Sequence, residues 1–371
     1  MHDGTARTTN VRISCAVMTH PRRAEAAHRL AAALPELAPT VVVDPRPQAP
    51  PSTLRTSLAA WAALHPQATH HLVLQDDAEP CPGMVEALST LVAARPDDPL
   101  SLFCEWGSAT ATMARWGALG GYGLASCVDR YVPTVGLLLP AGIARELVAT
   151  VDPAGREDEP DDEALARFLE RVGRSALVTV PNLVEHDGDV SLVGNAHRMG
   201  VRRSVLLGEK GDPPPSTRVL RAPELIPFVS WRRARAAAVR WDTAHHRHLH
   251  HVGRVRASLA ETGVAHAVVV EALETWLATE EGRRSEEALG FGLLHELWLT
   301  ATAVAVWAPL PTADLVAPPS AARRSLSTLA TGGLRTVVPQ VLTGPGVRTD
   351  LDAMLRAAHA AGTAARSTPH G

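Results

Sequence analysis

Three apolar runs near the start of the chain each stop abruptly at a polar or acidic end, with a helix-length segment between one run and the next. Val11 to Met18 reads as a buried strand closing on Thr19-His20. Thr40 to Val43 closes on Asp44-Pro45, and Leu72 to Leu74 closes on Gln75-Asp76-Asp77, with Pro80 preventing further extension. Ala24 to Leu34 and Ser52 to Leu64 have helical patterns, the second with Ser52 or Thr53 as N-cap. Strand–helix–strand–helix–strand with short connections implies right-handed crossovers and a doubly wound sheet. Its parallel strands end on one edge, where open α/β sheets place their ligands. The expected class is α/β, Rossmann-like, with a mostly parallel sheet and flanking helices.

Further along, the pattern predicts a helix over 82–94, a strand over 100–103, an irregular stretch over 105–131, a strand over 135–139 and a helix to about Val151. A helix over 164–171 and a strand over 176–180 follow. Pro213-Pro214-Pro215 marks a linker. The expected division is residues 1–212 as a catalytic domain and 213–371 as an α-helical C-terminal region serving acceptor binding, packing or homo-oligomerisation. Helices are expected there over 231–257, 263–279, 285–306, 319–331 and 348–361.

Composition narrows the function. A net charge of −3 over 371 residues, with 4% aromatic residues, argues against a nucleic-acid partner. Hydrophobic content of 46% against 20% charged residues suits a packed globular chain and not a disordered one. Cys15, Cys81, Cys104 and Cys127 are far apart and contain no C-x-x-C pair, as expected of buried thiols in a reducing compartment. Met1 to Asn10 has no apolar signal-like core, and Leu297 to Leu310 is too short to span a bilayer, so no transmembrane segment and a cytoplasmic location are expected.

The chemistry is concentrated at the third strand end. Asp76, Asp77 and Glu79 put three carboxylates within four residues. They repel unless a cation neutralises them, and oxygen ligands of this kind suit Mg²⁺ or Mn²⁺. A metal–diphosphate site is one reading; a solvated acidic turn is the other. Asp44 is placed to bind a nucleoside, by analogy with the acid that reads ribose hydroxyls in doubly wound folds, or to form a turn. Thr19, His20 and Arg22 are candidates to hold base or phosphate, although Arg22 and Arg23 are also compatible with an ordinary surface. His246 and His250 fall at i, i+4 in the expected 231–257 helix, but there is no H-E-x-x-H motif and no third ligand, so an exposed polar face is the simpler reading.

Three motifs together resemble the GT-A-type glycosyltransferases, in particular bacterial and viral members with an (E/Q)-D-D metal motif. They are Leu72-Val73-Leu74-Gln75-Asp76-Asp77, the helix start Asp161-Asp162-Glu163-Ala164-Leu165, and Pro181-Asn182-Leu183-Val184-Glu185-His186-Asp187-Gly188-Asp189-Val190-Ser191. The likeness covers the N-terminal domain only. It implies a nucleoside diphosphate sugar as donor, a bridging Mn²⁺ or Mg²⁺, and transfer to a hydroxyl on a small molecule, glycan or peptide, with inversion. It implies Asp77 as metal ligand, Asp76 as its helper or a ribose contact, and His186 as a further ligand or diphosphate contact. Asp162, or failing that Asp161, would be the catalytic base. Gln75 replaces an acid that the family often carries, which leaves open a degenerate sugar-nucleotide-binding or assembly module without turnover. A nucleotidyltransferase also needs acids at strand ends, but the loop Thr19-His20-Pro21-Arg22-Arg23 lacks the glycines such enzymes use.

Overall fold

A computed structural model describes residues 11–154, 156, 158–187, 199–253, 255–310, 312, 315–339 and 344–367. Met1 to Asn10 and the Gly188 to Ser191 end of the third motif therefore lie outside the described residues.

The strands are β1 (Ile13–Thr19), β2 (Thr40–Val43), β3 (His70–Gln75), β4 (Ala78–Pro80), β5 (Leu100–Ser101), β6 (Leu124–Ser126), β7 (Gly136–Pro140), β8 (Leu177–Thr179), β9 (Val184–His186) and β10 (Val219–Leu220). Eight of them form one sheet in the order β10-β6-β8-β5-β7-β3-β1-β2. The β1–β2, β1–β3, β5–β8 and β6–β10 pairs are parallel. The β7 strand is antiparallel to both β3 and β5, and β6 is antiparallel to β8. The remaining two strands, β4 and β9, pair with each other as a short antiparallel ribbon.

The sheet is buried on both faces, which is why its strands read as unbroken apolar runs. Alternate residues face opposite layers. Cys15, Val17, Leu72 and Leu74 pack with α1 (Ala24–Ala32) and α3 (Met84–Ala94), while Ala16, Met18 and Val73 pack with α2 (Thr53–Ala62), α5 (Ala141–Thr150) and α6 (Asp161–Arg171). Ser52 is the N-cap of α2 as expected, its hydroxyl accepting from the Arg55 N–H at 3.2 Å.

Two expectations are overturned. The stretch 105–131 is not irregular: it contains α4 (Ala109–Gly120) and β6, and α4 is buried from Ala109 to Ala118. Its alanines, threonines and small residues give little amphipathic signal because almost every face of the helix is covered. The stretch 231–257 is not one helix either. Leu225–Ser230 (β11), Arg235–Asp242 (β12) and Arg247–Val252 (β13) form an antiparallel sheet, so the C-terminal region is not purely helical. The consequence for the histidines is direct: His246 sits in the β12–β13 turn with φ of +52°, and His250 is on β13 opposite Arg240.

The remaining helices are Val255–Glu261, His266–Leu277, Glu280–Leu289, Phe291–Val306, Pro319–Leu334 and Pro345–Ser367. The expected 285–306 helix is broken at Gly290, where φ is +76°. Among the described residues no single helix is long and apolar enough to cross a membrane; one pair bent by 116°, Glu280–Leu289 with Phe291–Val306, meets that test only jointly, and from Leu297 to Val306 the second helix is buried inside the protein. The C-terminal region does not stand apart from the sheet. β10 lies beyond residue 212 yet completes the sheet edge, and Val304 and Leu326 share one core with α2, α4 and α6. Buried Arg115 of α4 donates to the Ser325 carbonyl at 3.0 Å and the Thr328 hydroxyl at 3.0 Å, and Trp116 donates to the Val304 carbonyl at 2.7 Å.

Candidate metal–diphosphate site

Parallel β1 and β3 run in register, Met18 opposite Gln75, so Thr19 and Asp76 emerge together at the carboxyl edge. The Thr19 hydroxyl donates to Asp76 Oδ2 at 2.5 Å. Burial pushes the Asp76 carboxyl above its ordinary range, and the Thr19 bond and the Arg23 charge oppose that shift. The β4–β9 ribbon then sets Asp77 against His186: Ala78 pairs with His186, and the Asp187 N–H donates to the Asp77 carbonyl at 3.0 Å. His186 Nε2 lies 3.5 Å from Asp77 Oδ2. The acidic turn and the distant histidine motif thus meet, as expected.

The His186 ring has a definite tautomer by its contacts. Nδ1 faces the Arg202 carbonyl at 3.1 Å and must carry the proton, so the Nε2 lone pair is turned toward Asp77 and the Arg202 guanidinium, the latter at 3.3 Å. Burial holds the ring's pKa below the ordinary value, and Nε2 accepts from Arg202. Asp77 Oδ1 is buried and has no hydrogen-bond partner. A buried carboxylate oxygen without a donor is costly unless something positive completes it. Among the described residues no group of three or more His, Cys, Asp or Glu side chains is drawn together as a ready-made metal cage. The donor set nevertheless fits a hard divalent ion: Mg²⁺ in particular is held by one or two carboxylates plus substrate phosphates and waters.

Arg23 is the residue that the sequence did not single out. Its Nε lies 3.0 Å from Asp76 Oδ1 and its Nη1 3.1 Å from Asp77 Oδ2, so one guanidinium spans both acids. It is the N-cap of α1, which brings the positive end of that helix to the same turn. A basic residue directly after the first strand end was the only signal for it. By contrast Arg22 is exposed, and His20 Nδ1 accepts from the Arg22 N–H at 3.2 Å, capping the Pro21–Arg23 turn. The side chain that reaches the acidic turn is therefore that of Arg23, next to the expected Arg22.

Asp44 also needs correction. It lies at the predicted edge, but Arg55 takes both oxygens, Nε to Oδ1 at 2.8 Å and Nη2 to Oδ2 at 2.8 Å, with both side chains buried. Burial raises the Asp44 carboxyl, yet the Arg55 hydrogen bonds and charge outweigh it and hold the group below the ordinary range. Asp44 ties α2 to β2 and offers no oxygen to a ribose. Glu79 is exposed on β4.

The Asp161–Asp162 pair opens α6 and connects to the acidic turn through side chains. Gln75 Nε2 donates to Thr134 Oγ1 at 3.1 Å, the Asp161 N–H donates to Thr53 Oγ1 at 3.2 Å, and the Thr134 and Thr53 hydroxyls both act to lower the Asp161 carboxyl's pKa. Asp161 is 4% exposed, and burial pushes its carboxyl up. Asp162 is half-buried; burial and the adjacent Asp161 charge push it up to about 7. The Arg202 charge acts on both Asp162 and His186, so the two motifs share one electrostatic neighbourhood. A carboxyl poised near neutral pH is suited to accept a proton from a hydroxyl.

Compared with protein-family models and with curated proteins, the chain matches none.

Proposed function

We propose that the protein is a metal-dependent glycosyltransferase of the GT-A kind, moving a sugar from a nucleoside diphosphate sugar to a hydroxyl acceptor with inversion. The observation that carries this reading is the pairing at one strand edge of Asp77, whose buried Oδ1 has no hydrogen-bond partner, with His186, whose Nε2 lies 3.5 Å from Asp77 Oδ2. Asp77 and His186 would hold the ion, with Asp76 fixed by Thr19 in support. A divalent ion at that point supplies Lewis-acid stabilisation of charge on a departing diphosphate. Asp162 takes the acceptor proton, and the charge of Asp161, whose N–H is held by Thr53, raises the basicity of its neighbour. Gln75 acquires a positioning role in place of a missing charge, since it anchors the Thr134 link. Calorimetry tests the reading: UDP or GDP should bind more tightly with Mn²⁺ present, and Asp77→Ala should abolish that gain. Nucleotide binding indifferent to Mn²⁺ would remove the metal role.

One observation favours a second reading, a nucleotide-sugar-binding module without turnover. Arg23 already bridges Asp76 and Asp77 and offsets one of their two charges. On that reading nucleotide binds without a metal, and no transfer follows with any acceptor.

A further inference from the structure

We infer that Arg23 is a resident counter-ion of the acidic turn, which leaves Asp76 and Asp77 when a divalent cation enters and re-pairs with the diphosphate of the donor. This deepens the transferase reading and rests on it. Asp76 and Asp77 are adjacent, mostly buried carboxylates that destabilise one another without a positive partner, and the Arg23 fork supplies it by touching each once. The Arg23 side chain is 24% exposed against 9% for that of Asp76 and 11% for that of Asp77, so it lies on the solvent side of the turn. It comes from the short Pro21–Arg23 turn, and its long stem gives it room to retract into water.

Arg23 also leaves part of the site unused. A guanidinium has only donors and one charge, while the turn presents two carboxylates, one of whose oxygens, Asp77 Oδ1, is buried and unpartnered. His186 Nε2 faces Asp77 Oδ2 at 3.5 Å, the oxygen that Arg23 Nη1 already holds at 3.1 Å, so a cation drawn between Asp77 and His186 sits against Arg23. Two cations on one carboxylate repel, so metal and Arg23 compete. With no other anion present, releasing Arg23 is unfavourable and metal binds weakly. A diphosphate changes the balance because its oxygens match the guanidinium fork. Metal and donor therefore bind cooperatively, and Arg23 is the residue through which they are coupled.

Mn²⁺ binding measured by electron paramagnetic resonance, with and without UDP or GDP, tests the inference on the wild type, Arg23→Gln, Arg23→Lys and Asp77→Ala. Without nucleotide, Arg23→Gln should bind Mn²⁺ about tenfold more tightly than the wild type, a typical coupling magnitude. The nucleotide-induced gain in Mn²⁺ affinity should shrink in Arg23→Gln by a similar factor. Arg23→Lys, which keeps the charge, should stay near the wild type, and Asp77→Ala should lose binding. Equal or weaker Mn²⁺ binding by Arg23→Gln without nucleotide overturns the counter-ion role. A tighter Arg23→Gln site on a protein that binds neither UDP nor GDP upholds the counter-ion and overturns the diphosphate partner together with the transferase reading.

Discussion

At the scale of single residues, the site is made by pairs of like groups placed in unlike surroundings. Asp161 is enclosed, its N–H donating to Thr53, whereas Asp162, one residue later, is half-buried with a carboxyl raised to about 7. If Asp162 is the base, kcat/KM for transfer should rise with pH through a limb near 7. Asp162→Asn should remove that limb together with most turnover, while leaving UDP affinity unchanged; a pH profile of unchanged shape would exclude Asp162. The same shift fixes the sign of a stability effect. The unfolded carboxyl titrates at about 3.9 and the folded one higher, so the folded state holds the extra proton between them, and stability falls as pH rises across that window. Urea midpoints against pH should be flatter in Asp162→Asn. Asp44 works in the opposite direction. Its folded pKa is depressed, so its contribution is present above the unfolded value and is lost as pH falls through the folded one. Asp44→Ala strands a buried guanidinium and should destabilise the protein by about 3–5 kcal/mol in chemical denaturation.

At the scale of elements, the β4–β9 ribbon and the turn before α1 matter more for chemistry than the large sheet does. The sheet delivers Thr19 and Asp76; the ribbon adds His186 from more than a hundred residues away in sequence. The misread elements have one cause. Ala236, Ala237 and Ala238 are strong helix formers in isolation, yet in β12 they are buried, and the strand pairs on both sides while packing against the Phe291–Val306 helix. Tertiary pairing overrides local preference, and Asp242 then closes the β12–β13 turn by accepting from the Ala244 and His245 N–H groups at 3.0 Å each. Close packing across this region is also testable. At Gly333 on the Pro319–Leu334 helix an added Cβ would lie 2.5 Å from Val229 Cβ on β11. Gly333→Ala should therefore destabilise the protein by about 1–3 kcal/mol, the usual cost of overpacking, as read from thermal unfolding.

At the scale of the whole molecule, contacts cross the expected residue-212 boundary at the sheet edge and along α4. β10 reaches back to the sheet, and α4 is held by Arg115 and Trp116 to the Pro319–Leu334 and Phe291–Val306 helices. A chain ending at Asp212 would expose those faces of α4 and leave Arg115 with the Trp106 carbonyl but without Ser325 and Thr328. It should bind a hydrophobic dye and unfold without a cooperative transition, whereas the full chain unfolds cooperatively. A cooperative transition in the shortened chain would restore the two-domain division.

The amino-acid order by itself determined the β–α–β–α–β start, the N-cap at Ser52 and the gathering of Asp76, Asp77 and Thr19 at one edge. These follow from local periodicity and from the single direction that parallel strands share. It also brought Asp161, Asp162 and His186 forward as candidates through their motifs. Only the tertiary structure decided what each side chain does. Asp44 and Arg23 are polar residues at neighbouring strand ends, and nothing local distinguishes them. The first is consumed by Arg55 from the next helix, and the second is drawn onto two carboxylates more than fifty residues away. Which charges meet depends on where non-local elements stop. For that physical reason the acidic turn was legible in the sequence and its counter-ion was not.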